Sequence, residues 1–292
     1  IPYGMQNFED VIKEDCFYVD KTPFIEDIEG SNKYFFYIRP RRFGKSLTLS
    51  MLENYYDINK KDDFETIFGG LYIGKNPTPE HNSYLVIHLN FAEVDSGLDD
   101  YKEGLDTHCR LVFEDFCTRY AALLPQGTKE EMKSEQGAIA QLRFLCQKCA
   151  EVKQKIYLFI DEYDNFTNMI LSSEEHLERY KGQTHGEGYL RRFFNTIKGA
   201  ANTSLGRIFV TGVSPVTMDD LTSGFNIGTN YSLKPRFNEM TGFTEEEVRD
   251  MLSYYAGVLP FNHTVDELIE IMKPWFDNYC FAINSYGKTT MY

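Results

Sequence analysis

Four runs of apolar residues punctuate the chain: Lys33 to Ile38, Tyr84 to Phe91, Ile156 to Ile160 and Arg207 to Val213. They are continuous rather than alternating, which predicts strands buried on both faces, as in a parallel sheet. Helical spacing fills the intervals. Leu47, Met51, Leu52 and Tyr55 fall on one helix face, and Tyr101 to Leu124, Gln136 to Val152 and Tyr189 to Ala201 read as further helices. Strands alternating with helices predict an α/β fold with a mainly parallel sheet, and a short fifth strand is expected at Tyr231 to Leu233. Near the start, Tyr18 to Thr22 predicts a short strand, then a helix with Thr22 as N-cap and Pro23 in its first position. Beyond Thr241-Gly242-Phe243 the pattern is wholly helical. Thr244 and Glu247 form a capping box opening a helix to about Tyr255. A second helix fits Val265 to Met272, and a third begins near Pro274. The polar stretch Glu174 to Gly188 reads as an exposed loop. The pattern divides the chain into a core, residues 1–243, and a small C-terminal helical lid with the start of a linker, 244–292.

Composition narrows the picture. Of the 292 residues 42% are hydrophobic and 15% aromatic, enough for a packed core. The net charge of -14 excludes a general electrostatic hold on nucleic acid, although Arg39, Arg41, Arg42 and Lys45 would form a local basic cleft. Six cysteines are scattered. Cys146 and Cys149 share a predicted helix with no second pair at zinc-ligand spacing, so they read as ordinary helix-face residues. The histidines at 81, 88, 108, 176, 185 and 263 show no metal spacing either. No run approaches the roughly 18 apolar residues of a membrane span, so no membrane partner is expected and the default location is cytoplasmic. The chain starts at Ile1 and stops at Tyr292 without a clear ending, which reads as an excerpt or a processed form.

Three strand ends carry candidate chemistry. Arg39 to Ser46 reads Arg-Pro-Arg-Arg-Phe-Gly-Lys-Ser, a phosphate-binding loop G-x-x-x-x-G-K-[ST] with Arg39 in place of the first glycine. It lies between a predicted strand and a predicted helix, the context in which backbone N–H groups and a helix N-terminus face phosphate oxygens. Lys45 would reach the β- and γ-phosphates of a nucleoside triphosphate, and the Ser46 hydroxyl would hold Mg²⁺. Arg41 or Arg42 would contact phosphate, or pair with acids on a neighbouring surface. The second strand end, Phe-Ile-Asp161-Glu162, finishes an apolar run on two acids. One suits Mg²⁺, and the other suits orienting and deprotonating an attacking water. The third, Thr211-Gly212-Val213-Ser214-Pro215, would bring Thr211 or Ser214 near the γ-phosphate. Arg236 is a speculative arginine finger. A basic strand-to-helix turn and a solvated strand end are the plainer readings of the first two motifs. Their order along the chain favours a nucleotide site.

The ordered set Tyr18-Val19-Asp20-Lys21-Thr22, Arg-Pro-Arg-Arg-Phe-Gly-Lys-Ser-Leu, Phe-Ile-Asp-Glu-Tyr-Asp, Thr-Gly-Val-Ser-Pro and Thr-Gly-Phe-Thr-Glu-Glu-Glu-Val resembles the AAA-ATPase-like family of bacterial proteins. That family is similar to archaeal ATPases whose loop reads Gly-x-Arg-Arg-x-Gly-Lys-Thr, and the resemblance covers nearly the whole chain. It implies a P-loop NTPase three-layer sandwich with five mainly parallel strands and a helical lid. It implies ATP and Mg²⁺ as ligands. Arg41, Arg42, Phe43, Gly44, Lys45, Ser46, Leu47 and Asp161 would bind the nucleotide, with Ser46 and Asp161 on the metal. Glu162 would be the catalytic base, Lys45 a catalytic cation and Ser214 the polar sensor, and Tyr18 to Thr22 would lie near the adenine. Arg39 departs from the general loop but agrees with this family's version. Members often continue into a domain resembling PD-(D/E)XK nucleases, and Trp275 to Phe281 looks like the segment before it. Nucleic acid would then be met only through that absent domain. Rings of this type take an arginine from a neighbour, so self-association is a further expected interaction. The leading expectation is an ATP-hydrolysing switch domain. An interaction module that holds nucleotide with negligible turnover is the alternative, and a small-molecule kinase is a third reading that the Asp-Glu pair disfavours.

Overall fold

A computed structural model describes residues 4–94, 101–165, 188–200, 203–214, 228–259, 262–276 and 279–282. Five strands form one sheet: β1 (Tyr34–Ile38), β2 (Leu85–Asn90), β3 (Ile156–Asp161), β4 (Leu205–Gly212) and β5 (Thr229–Asn230). Their order is β2-β3-β4-β1-β5 and every pairing is parallel. The register sets Asn90 beside Asp161 and Ile38 beside Gly212. The ends of the strands that carry the sequence motifs therefore share one edge, with β4 between the loop strand β1 and the acid strand β3.

Alternation along each strand divides the core into two faces. Leu85, Ile87, Leu158, Ile160, Ile208 and Val210 pack in a cluster with residues of α6 (Tyr101–Arg119), α8 (Gly137–Glu151) and α9 (Tyr189–Ala200). Val86, Tyr157, Phe159 and Phe209 join a second cluster with α1 (Phe8–Lys13), α2 (Phe24–Glu29) and α3 (Lys45–Tyr56). The short helices α4 (Phe64–Phe68), α5 (Tyr72–Lys75) and α7 (Thr128–Ser134) fill the layer edges. The architecture is the expected three-layer α/β sandwich. Two further helices, α10 (Glu245–Val258) and α11 (Val265–Phe276), pack on each other beside it, and an ion pair between Lys273 and Glu245 at 3.6 Å helps join them.

Five element boundaries differ from the sequence reading. Tyr18 to Thr22 is not a strand. Asp20 accepts from the backbone and hydroxyl of Thr22 and from the backbone of Tyr72, which folds the segment into a turn. Helix α2 starts at Phe24, with Pro23 at the cap position. The Thr22 hydroxyl serves Asp20 and Ile73 instead of capping. β5 ends before Tyr231, because the Asn230 side chain accepts from Ser232 N and turns the chain while Tyr231 stacks on Phe35 at 4.3 Å. Helix α6 stops at Arg119, and α11 runs unbroken through Pro274, which has no N–H to give the helical bond to Glu270 O. The capping box of Thr244 and Glu247 is present as read. Most of the polar stretch from Glu174 lies outside the described residues, as do His176, His185 and Pro215.

Candidate functional site

The loop between β1 and α3 is shaped by two left-handed residues, Gly44 (φ 76°) and Arg42 (φ 68°). A Cβ on Gly44 would meet nothing within 4 Å, so backbone conformation rather than crowding requires glycine there. Arg39 needs no such freedom. Its backbone N–H continues the sheet to Gly212 O at 3.2 Å. Its guanidinium is buried and donates to the carbonyls of Ile38, Ser232 and Phe237. The side chain at the place of the missing glycine is therefore turned into the protein and away from the loop's cradle. Lys45 closes the loop by donating to Pro40 O at 3.1 Å. Burial lowers its pKa, while Glu162, Asp161 and Asp164 pull the other way. Phe43 O accepts from Gly242 N at 3.2 Å, which ties the loop to the chain entering α10.

The loop meets the acid strand across the top of the sheet. Ser46 Oγ donates to Asp161 Oδ2 at 3.0 Å, and the other carboxylate oxygen accepts from Glu162 N at 2.8 Å. Glu162 is itself left-handed (φ 49°), a conformation that surrounding structure must impose. Burial raises its pKa. Lys45 opposes that rise, and Asp161 and Asp164 add to it. Asp164, which sequence reasoning missed, is fully buried and accepts from the backbone of Val213 and Ser214. Tyr163 adds a hydroxyl bond to Ser214 O at 2.6 Å. A Cβ at Gly212 would come within 2.4 Å of Asp164 Oδ1, so this close clasp of β3 on β4 needs glycine. The signal was present as the third acid of Asp-Glu-Tyr-Asp. The Thr211 hydroxyl, beside these groups, is buried and has no hydrogen-bond partner among the described residues.

The sequence-predicted residues fall in different places. Gly44, Lys45, Ser46, Asp161 and Glu162 are brought together. Arg41 and Arg42 are exposed at the loop's rim, with Arg41 near enough to influence Lys45 and Glu162. Ser214 holds its place through its backbone. Phe43 and Leu47 face a cavity of about 300 Å³, also walled by Tyr18, Lys21, Met240 and Met251, which opens beside Gly44. Lys21 was not singled out from sequence. It spans from the cavity to α10, donating to Glu239 O and forming a 2.6 Å ion pair with Glu247. Arg236 is held by Asp27 and reaches no part of this edge. Cys146 and Cys149 are buried free thiols on α8, and burial pushes the Cys146 thiol up to about 11.

These groups fit a magnesium nucleotide. A left-handed glycine, a buried lysine and a helix N-terminus face one space. The hydroxyl and carboxylate oxygens of Ser46 and Asp161 are donors of the kind Mg²⁺ selects. Among the described residues no group of three or more His, Cys, Asp or Glu could hold a metal by itself. An ion at Ser46 and Asp161 would take its other ligands from phosphate and water.

Comparison with known proteins bears on the same elements. A family model described as AAA-ATPase-like, "Predicted AAA-ATPase", matches residues 2–222. A protein from Azotobacter chroococcum mcd 1, described only as "Uncharacterized protein in vnfD 5'region", is 26% identical over 280 residues. The match covers 96% of this chain and 48% of that protein, so the chain spans about half the length of the curated relative. Among solved structures, Cdc6p from Pyrobaculum aerophilum overlaps with a TM-score of 0.38 at 12% identity, covering 93% of this chain and 55% of that one. ORC2 of Aeropyrum pernix, in ADPNP-ADP complexes, overlaps at 0.37 and 8%, covering 93% and 58%. Overlaps this loose carry no argument about the site.

Proposed function

The chain belongs to the predicted AAA-ATPase family, and on that premise we propose that it binds ATP with Mg²⁺ at the C-terminal edge of the sheet and hydrolyses it. The observation that carries the reading is the meeting of Ser46 with Asp161 at 3.0 Å, with Glu162 and Lys45 beside them. Lys45 and the backbone of Phe43 and Gly44 hold the phosphates, with Arg41 and Arg42 at the rim. Ser46 and Asp161 hold the metal, which supplies charge neutralisation on the phosphate oxygens when bound. Glu162 orients a water and takes its proton, a role suited by a pKa above the ordinary carboxylate value. Thr211 and Ser214 stand at the adjoining strand end as polar sensors. The cavity between Tyr18, Leu47 and Met251 takes the purine. Residues 244–292 act as the lid, joined to the base cavity through Lys21 and Glu247. Among the described residues no helix is long and apolar enough to cross a membrane, and a cytoplasmic bacterial setting is part of the proposal. So are self-association and control of an attached nuclease-like domain, which the family resemblance suggests.

One observation favours a slower variant of this reading. Arg236, the candidate finger, is engaged by Asp27, so a chain acting alone would hold nucleotide and turn it over negligibly. Phosphate release under saturating Mg-ATP separates the two. The expected result is measurable turnover that Glu162→Gln lowers by about 10²-fold or more while calorimetric binding persists. Turnover unchanged by that substitution removes Glu162 from its role. Binding without turnover in the wild type supports the module.

A further inference from the structure

The described stretch Tyr279–Ala282 lies directly on the loop. The Phe281 ring is 4.0 Å from the Arg39 guanidinium carbon, which is also 4.2 Å over Tyr37. Phe43 meets Tyr279 at 4.9 Å and Phe281 at 5.4 Å, both edge to face. The backbone N–H groups of Phe281 and Ala282 both donate to Asn238 Oδ1, at 3.1 and 3.2 Å. The stretch therefore grips the loop at Arg39 and Phe43, on either side of the left-handed Arg42.

Effects of opposite sign meet at this contact. Among the described residues no carboxylate lies within ion-pair distance of Arg39. Its charge is met by carbonyl oxygens and aromatic faces. Among the described residues Arg39 Nε and Asn238 Nδ2 are buried without a hydrogen-bond partner. Burying polar atoms unanswered opposes docking, and the stacking favours it. A segment held by stacking and opposed by unanswered polar atoms can exist docked or released, and changes at the loop bear on both states.

We propose that Tyr279–Ala282 is a latch on the phosphate-binding loop, through which nucleotide occupancy and docking of this segment are coupled, with Arg39 and Phe43 as the positioning residues. The inference rests on the reading of the loop as a nucleotide site. With the latch down, Phe43 is pinned between aromatic rings and its carbonyl holds Gly242, which fixes the orientation of the Gly44 and Lys45 backbone. The docked state is then the one that binds phosphate well. By reciprocity, bound nucleotide strengthens docking by the same factor. Whatever the polypeptide carries after this segment would be told the nucleotide state through Phe281.

The test uses the whole chain and Mg-ATP. Phe281→Ala is expected to weaken calorimetric affinity at least fivefold. In a second variant Trp275→Phe, which removes the chain's one tryptophan, is combined with Phe281→Trp. An indole then stacks on Arg39. Affinity should stay within about twofold of wild type, and indole emission should shift on adding ATP. Adding Lys45→Ala should abolish that shift. If Phe281→Ala does not fold, Phe281→Leu keeps the apolar volume without the ring and takes its place. A lower melting temperature with unchanged affinity, or an indole blind to bound ATP, overturns the latch alone. No ATP binding by the wild type overturns both the nucleotide reading and the latch built on it.

Discussion

The two edges of the sheet treat buried charge in opposite ways. At the N-terminal edge Arg207, nearly inaccessible on β4, meets Glu80 at 2.6 and 2.9 Å, while Tyr84 donates to the same carboxylate. Its remaining N–H groups reach the carbonyls of Ile28 and Glu29. At the C-terminal edge Arg39 has no carboxylate among the described residues, the Thr211 hydroxyl is unanswered, and Arg42 and Glu162 hold left-handed backbone. Left-handed backbone occurs at both edges, since Asn82 (φ 46°) and Lys153 (φ 58°) precede β2 and β3. What separates the edges is the partner given to a buried arginine: a carboxylate for Arg207, carbonyls and aromatic rings for Arg39.

The contrast is broken most severely by substitution at the C-terminal edge. On the proposed reading Lys45→Ala removes a charge-assisted donor from the phosphates and is expected to weaken Mg-ATP binding about 100-fold. The melting temperature without nucleotide should change little, because the hydrogen bond of Lys45 among the described residues is to a loop carbonyl. Calorimetry beside a melting curve checks both halves. A large stability loss with intact binding would make Lys45 a structural residue.

Glu80→Ala should do the reverse. It strands the Arg207 guanidinium, buried, beside Tyr157 and Tyr56. Breaking a fully buried pair costs about 3–5 kcal/mol, and Glu80 is a third exposed, so about 2 kcal/mol is the expected loss. That is a fall of roughly 5 °C in melting temperature for a chain of this size. Affinity for Mg-ATP should hold, since the two edges lie at opposite strand ends. A parallel loss of affinity would show that the edges are mechanically coupled.

Acid separates the edges without mutation. At Glu162 burial raises the pKa above 4.5. A base must be ionised, so turnover falls as pH drops through that raised value. At Glu80 burial pushes up, but the bonds from Arg207 and Tyr84 prevail and lower the pKa below 4.5. Its stabilising contribution is present above the unfolded value and is lost only as pH falls through the lower, folded one. A window of mild acidity should exist in which the protein is folded and inactive. A kcat–pH profile measured beside melting curves would show it. Activity and stability failing together would mean that the acid limb reports unfolding.

Sequence disclosed the strands and the edge they share because long apolar runs and strand-end motifs are local signals. Lys45, Ser46, Asp161 and Glu162 could be paired from their order alone. What stayed hidden depends on tertiary packing. Arg39 read as part of a cradle because it occupies the glycine position, and only the fold shows its side chain turned into carbonyls from Ser232 and Phe237. Asp164 could be read as a third strand-end acid, but its role needs the backbone of β4 brought alongside. β5 was displaced because Tyr231 looks like a strand residue while the Asn230 side chain dictates the turn. Asn238 gave no signal, and Phe281 was read only as part of a segment leading to a further domain, since its contacts with Arg39 and Phe43 join stretches more than two hundred residues apart.

The smallest expected effect is the most pointed. Thr211→Val keeps shape and deletes a buried hydroxyl that has no partner among the described residues. Removing an unanswered polar atom should leave stability unchanged or raise it, by up to about 1 kcal/mol. If that hydroxyl is held in reserve for a ligand beside Ser46 and Asp161, the same substitution lowers turnover several-fold and narrows the stabilisation that nucleotide confers. Melting curves with and without Mg-ATP read both effects. A destabilised Thr211→Val would mean that the hydroxyl already has a partner in the free protein, and the C-terminal edge would then hold no hydroxyl in reserve.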